Sequence, residues 1–86
     1  MGEIKKGESL VSAYIFVILN SGTVESLDTT KIESIEGILE VTKVYGSYDL
    51  VIKAKFEELK PLQKLIKKIR NLKEVNNTTT MIDMNA

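Results

Sequence analysis

An α+β sandwich, with four antiparallel strands and two helices on one face, is predicted by three observations. Strand and helix signals follow the order β-α-β-β-α-β within 86 residues, a length that suits one domain. The two middle strands are separated only by a short glycine-containing turn, which marks an antiparallel hairpin. A faint internal repeat joins the halves: Lys31-Ile32-Glu33-Ser34-Ile35-Glu36-Gly37-Ile38 resembles Lys68-Ile69-Arg70-Asn71-Leu72-Lys73-Glu74-Val75, each a helix end leading into a strand. Two such halves make a ferredoxin-like βαββαβ fold.

Residues Met1 to Ser12 mix glycine, lysine and glutamate without a period, and are expected to form a flexible tail. The folded domain is expected over residues 13–86. Ala13 to Leu19 is apolar throughout and rich in β-branched and aromatic residues, as a strand buried on both faces would be. Asn20-Ser21-Gly22 ends it. A helix is expected from Thr23 to Ile35, with Val24, Leu27, Ile32 and Ile35 near one face and Ser21 or Thr23 as its cap. Gly37 supplies the stop, because glycine reaches the left-handed conformation without steric cost.

Ile38 to Tyr45 and Tyr48 to Lys55 read as strands around Gly46-Ser47. A second helix spans Glu57 to Asn71, with Leu62, Leu65, Ile66 and Ile69 on one face and Pro61 in its first turn, where no N–H acceptor is needed. Lys67, Lys68 and Arg70 near its end suit the helix dipole. Val75 to Met84 is a final, threonine-rich strand.

Composition narrows the function. Twelve basic residues balance twelve acidic ones, so the chain lacks the broad positive field that attracts nucleic acid. There is no cysteine and no histidine, which removes thiol chemistry, nearly all structural zinc sites and the commonest acid–base side chain near neutral pH. No catalytic residue, metal or cofactor is expected. The longest apolar run, Ala13 to Leu19, is too short to cross a membrane, and no signal peptide is expected ahead of it. A cytoplasmic protein without membrane contact is the expectation.

A domain this small buries only about 60–65% of the surface its unfolded chain exposes. Partner subunits would therefore add stability. Two helices cover only one face of the sheet, yet the first strand is apolar on both: Tyr14, Phe16 and Ile18 point one way, Ile15, Val17 and Leu19 the other. In the third strand Leu50, Ile52 and Ala54 oppose Val51. An apolar face of this kind marks an interface. Dimerisation through the open sheet face is expected, with a tail folded over it as the competing arrangement.

Val44-Tyr45-Gly46-Ser47-Tyr48-Asp49-Leu50 is the stretch most suggestive of chemistry. Gly46 permits a backbone angle other residues resist, and successive N–H groups in such a turn can hold an anion. Asp49 just beyond can hold an ammonium group. Together they suit an α-amino acid, although an ordinary hairpin whose aspartate caps turn N–H groups reads the same way. Thr78, Thr79 and Thr80 suit a strand sterically and can also line a polar pocket. The basic side chains of the second helix, flanked by Glu57, Glu58 and Glu74, read as a solvated face.

With Gly46-Ser47-Tyr48-Asp49-Leu50-Val51 in the hairpin and Thr78-Thr79-Thr80-Met81-Ile82 near the end, the chain resembles the effector-binding module, or RAM domain, of the Lrp/AsnC (feast/famine) transcription regulators. The similarity runs from about Ala13 to Met84. It implies amino-acid binding at a subunit interface. Gly46, Tyr48 and Asp49 match the family's G-x-Y-D hairpin, Ser47 fills its variable position, and Thr78 and Thr80 match polar last-strand positions. It also implies dimers assembled into an octamer or similar ring. Only twelve residues precede the first strand, where family regulators carry a helix-turn-helix. The expectation is thus a stand-alone amino-acid-sensing module without direct DNA binding, joining its own copies or full-length Lrp/AsnC regulators.

Two rivals share the fold. A small enzyme of the dimeric α+β barrel type normally needs a histidine or polar cluster; an acylphosphatase-like site needs an arginine near the first strand, and Arg70 is the sole arginine. RNA binding on the open sheet needs exposed aromatics on the central strands, where the third strand offers Val51 and Lys53.

Overall fold

The computed structural model describes residues 11–22 and 24–83. The elements are β1 (Val11–Leu19), α1 (Thr30–Glu33), β2 (Ile38–Lys43), β3 (Leu50–Phe56), α2 (Leu59–Arg70) and β4 (Val75–Asp83). All strand pairs are antiparallel and the sheet order is β2-β3-β1-β4. The βαββαβ ferredoxin-like arrangement expected from the sequence is therefore present. The strand β1 opens at Val11, two residues inside the expected tail; the rest of that tail lies outside the described residues.

The core follows from strand parity. Side chains alternate across a strand, and directly paired residues share a face. Ala13, Ile15 and Val17 pair with Ala54, Ile52 and Leu50, and all six have no solvent exposure. Leu62, Leu65 and Ile69 of α2 close the same core from above. Each such aliphatic side chain contributes roughly 1.5–3 kcal/mol through burial. Tyr14, Phe16 and Ile18 occupy the opposite, helix-free face and are only half-buried. Burial of β1 on both faces, expected from its composition, is corrected accordingly. On α2 the residues Lys60, Lys64, Lys67, Lys68 and Arg70 are exposed, as a solvated face requires. No helix among the described residues is long and apolar enough to cross a membrane.

The first helix is much shorter than its periodicity suggests. Instead of Thr23 to Ile35, helix is confined to Thr30–Glu33. Residues 21–22 and 24–26 form turns, with Gly22 at φ +86°. The Asp28 carboxylate accepts the Thr30 N–H and the Thr30 hydroxyl, so local side-chain bonding sets the helix start. Thr23, one of the two expected caps, lies outside the described residues, and Thr29 occupies the cap position without a side-chain bond. The apolar pattern is still used: Ile32 is buried, and Val24, Leu27 and Ile35 pack on the core.

Two predictions arise here. The Asp28 carboxyl is held below its ordinary value of 3.8, first by the Thr30 hydroxyl and then by the Thr30 N–H, with Lys31 and Lys43 adding their positive fields. A carboxyl depressed on folding contributes stability that is present above pH 3.8 and is lost as pH falls through the lower folded value. Asp28→Ala is expected to flatten the acid limb of a urea-midpoint-versus-pH profile; an unchanged limb contradicts that role. Gly37 has φ +96°, and an added Cβ would run into the Phe56 ring. Gly37→Ala is expected to lower stability by about 2 kcal/mol in urea denaturation, because strained φ and displaced ring act together.

Candidate functional site

The strands of the hairpin end earlier than their residue types suggest, leaving residues 44–49 as the connection rather than Gly46-Ser47 alone. The Val44 N–H donates to the Asp49 carbonyl at 2.9 Å and closes the loop. Gly46 sits at φ +125°, which only glycine adopts readily. Among the described residues, the N–H groups of residues 45–48 have no protein acceptor.

Asp49 extends the sheet by one rung. Its N–H donates to the Val17 carbonyl at 2.8 Å, and its Oδ2 accepts the Leu19 N–H at 2.8 Å. A carboxylate oxygen thus replaces the backbone carbonyl that β3 no longer supplies. Oδ1 accepts no hydrogen bond from the described residues. The other side of the same β1 end is held by Asn20, whose N–H donates to the Glu74 carbonyl and whose Nδ2 donates to the Lys73 carbonyl. The residue carrying the free oxygen is therefore fixed to a strand that is itself tied on both sides.

A cleft of about 320 Å³ opens beside Asp49, lined by Val24, Glu25, Lys43, Val44, Tyr45 and Asp49. This volume lies at the lower end of small-molecule sites. Lys43 ends β2 and pairs with Leu50, which puts it on the helix-bearing side, facing the turn segment that carries Val24 and Glu25. Tyr45 is fully exposed, at 105% of its reference surface.

Of the residues singled out in the sequence, Gly46, Ser47, Tyr48 and Asp49 come together in the loop, but only Asp49 lines the cleft. Tyr48 turns to the open sheet face and packs on Phe16, with ring centroids 5.2 Å apart. Thr78 and Thr80 pair with Val17 and Ile15, so they share the helix-bearing face; Thr79 pairs with Phe16 on the open face. With β1 between β4 and the hairpin, Thr78 and Thr80 do not meet residues 46–49 within one chain. Glu25 and Lys43 carry no signal in the sequence that marks them as cleft residues: Glu25 falls inside the helix expected over 23–35 and Lys43 inside the strand expected over 38–45, as does Tyr45. An early end to β2 is the signal that finds Lys43 and Tyr45.

Comparison with known proteins adds the following. The model of the family described as the Lrp/AsnC ligand binding domain matches residues 12–86. A homocitrate synthase from Sulfolobus acidocaldarius is 32% identical over 72 residues, covering 84% of this chain and 15% of that enzyme. The chain therefore spans only a small part of the length of the curated relatives it matches. A hypothetical protein from Pyrococcus horikoshii is 33% identical with a TM-score of 0.76, covering 86% of this chain and 89% of that one. AsnC of E. coli is 27% identical with a TM-score of 0.77, covering 98% of this chain and 58% of that one.

Proposed function

The chain belongs to the Lrp/AsnC ligand-binding domain family, and from that premise we propose that it is a regulatory module that senses an α-amino acid beside the 44–49 hairpin. The observation that carries this reading is the free Oδ1 of Asp49, next to a cleft that also holds a cation, Lys43. The ligand's ammonium group binds Asp49. Its carboxylate binds Lys43 or the acceptor-free N–H groups around Gly46 and Ser47. Charge-assisted bonds of this kind contribute roughly 1.5–3 kcal/mol each.

The module assembles through the helix-free sheet face, where Tyr14, Phe16, Ile18, Val51, Met81 and the Tyr48 ring supply apolar area. Dimers formed there join into an octamer or similar ring, with a partner chain completing the pocket; Thr78 and Thr80 serve the pocket from a neighbouring copy. Assembly with full-length Lrp/AsnC regulators in the cytoplasm follows the same contacts.

Calorimetric titration with the twenty amino acids, combined with light scattering, tests the reading. The expected result is saturable heat for one or a few amino acids and a mass that is a multiple of 9.6 kDa. No heat with any of them, or a stable 9.6 kDa monomer, contradicts it.

A further inference from the structure

We propose that the cleft at Glu25, Lys43, Tyr45 and Asp49 selects an α-amino acid with a cationic side chain; this rests on the amino-acid reading above and specifies its ligand. Two carboxylates, Glu25 and Asp49, and one ammonium group, Lys43, line the same cleft. A neutral-side-chain amino acid satisfies Asp49 with its ammonium group and Lys43 with its carboxylate. It leaves Glu25 unpaired and partly stripped of water. A ligand with one further positive charge pairs Glu25 as well and brings the filled cleft to neutrality.

Two further observations agree. The carboxylate of Asp28 lies in the fields of both Lys31 and Lys43, so Lys31 offsets it and the charges lining the cleft, Glu25 and Asp49 against Lys43, stay one negative in excess. The Tyr45 ring borders the cleft and is fully exposed, and an aromatic face beside carboxylates attracts an ammonium or guanidinium group through its quadrupole. Val24 and Val44 supply the apolar wall along which the aliphatic stem of such a side chain lies. A volume of about 320 Å³ corresponds to roughly ten waters at about 30 Å³ each, which accommodates an amino acid of lysine or arginine size.

The test is calorimetric titration of the full chain with L-lysine, L-arginine, L-norleucine and L-glutamate at fixed ionic strength. Norleucine keeps the length of lysine and lacks its terminal charge. Lysine or arginine is expected to bind at least about tenfold more tightly than norleucine, and glutamate not to bind. Glu25→Gln, an exposed change that spares the core, is expected to bring the basic ligand to within about threefold of norleucine, whose own affinity holds or rises because no carboxylate is left unpaired. Tyr45→Leu is expected to weaken arginine binding by about two- to fivefold. Norleucine binding as tightly as lysine, or a preference that survives Glu25→Gln, overturns the inference while leaving amino-acid sensing intact. No saturable heat with any of the twenty amino acids overturns both.

Discussion

Val17→Glu leaves no cooperatively folded protein at 25 °C. Val17 has no solvent exposure and lies between Leu50 on one side and Thr78 on the other. Its face is the helix-bearing one, so an introduced carboxylate has neither water nor a cation to meet. Burying an unpaired charge costs several kcal/mol even after the surroundings relax. Stability of small domains lies at the low end of about 5–15 kcal/mol. The neighbouring change, Phe16→Glu, is expected to act differently. Phe16 lies half-buried on the helix-free face, so the variant keeps its fold and loses assembly. Circular dichroism against temperature and light scattering at micromolar concentration separate the two outcomes. A folded Val17→Glu protein contradicts the assignment of faces, and an undiminished oligomer of Phe16→Glu contradicts assembly through that face.

Asp49→Ala has the second largest expected effect, and it acts twice. Removal of Oδ2 strands the part-buried Leu19 N–H, which costs about 1–3 kcal/mol of stability. Removal of Oδ1 takes away the partner for a ligand ammonium group, which weakens amino-acid binding by about ten- to a hundredfold. Urea denaturation reads the first effect and calorimetry the second. An alanine variant as stable as the parent shows that Leu19 finds another acceptor.

The parts of this fold that were legible in the sequence are those where burial is one-sided and periodic. The face of β3, the apolar stripe of α2 and the left-handed Gly37 follow directly from residue type and spacing, whereas β1 is apolar on both sides and its spacing does not say which set meets the helices. The segment from Val24 to Ile35 carries a helical spacing but not a helix of that length. Its apolar residues reach the core from turns, and Asp28 bonding to Thr30 delays the helix start. The last strand lies where its residue types place it, at Val75–Asp83, but its faces are not legible. Asn76, Asn77, Thr78, Thr79 and Thr80 are polar on both faces, so a period of two assigns neither, and only the pairing with β1 puts Thr78 and Thr80 on the helix-bearing side. Asp49 stands out in the sequence by its place just after the turn, but its bond to Leu19, thirty residues away, depends on tertiary pairing that local spacing does not encode.

The most direct test of amino-acid sensing at the hairpin is calorimetry of Asp49→Asn beside the parent protein. The asparagine amide oxygen still accepts the Leu19 N–H, so the fold and its urea midpoint are kept, while the negative charge is removed. The account predicts an unchanged urea midpoint together with amino-acid binding weakened by at least about tenfold. Binding as tight as in the parent contradicts it, and leaves Asp49 as the residue that closes the sheet and nothing more.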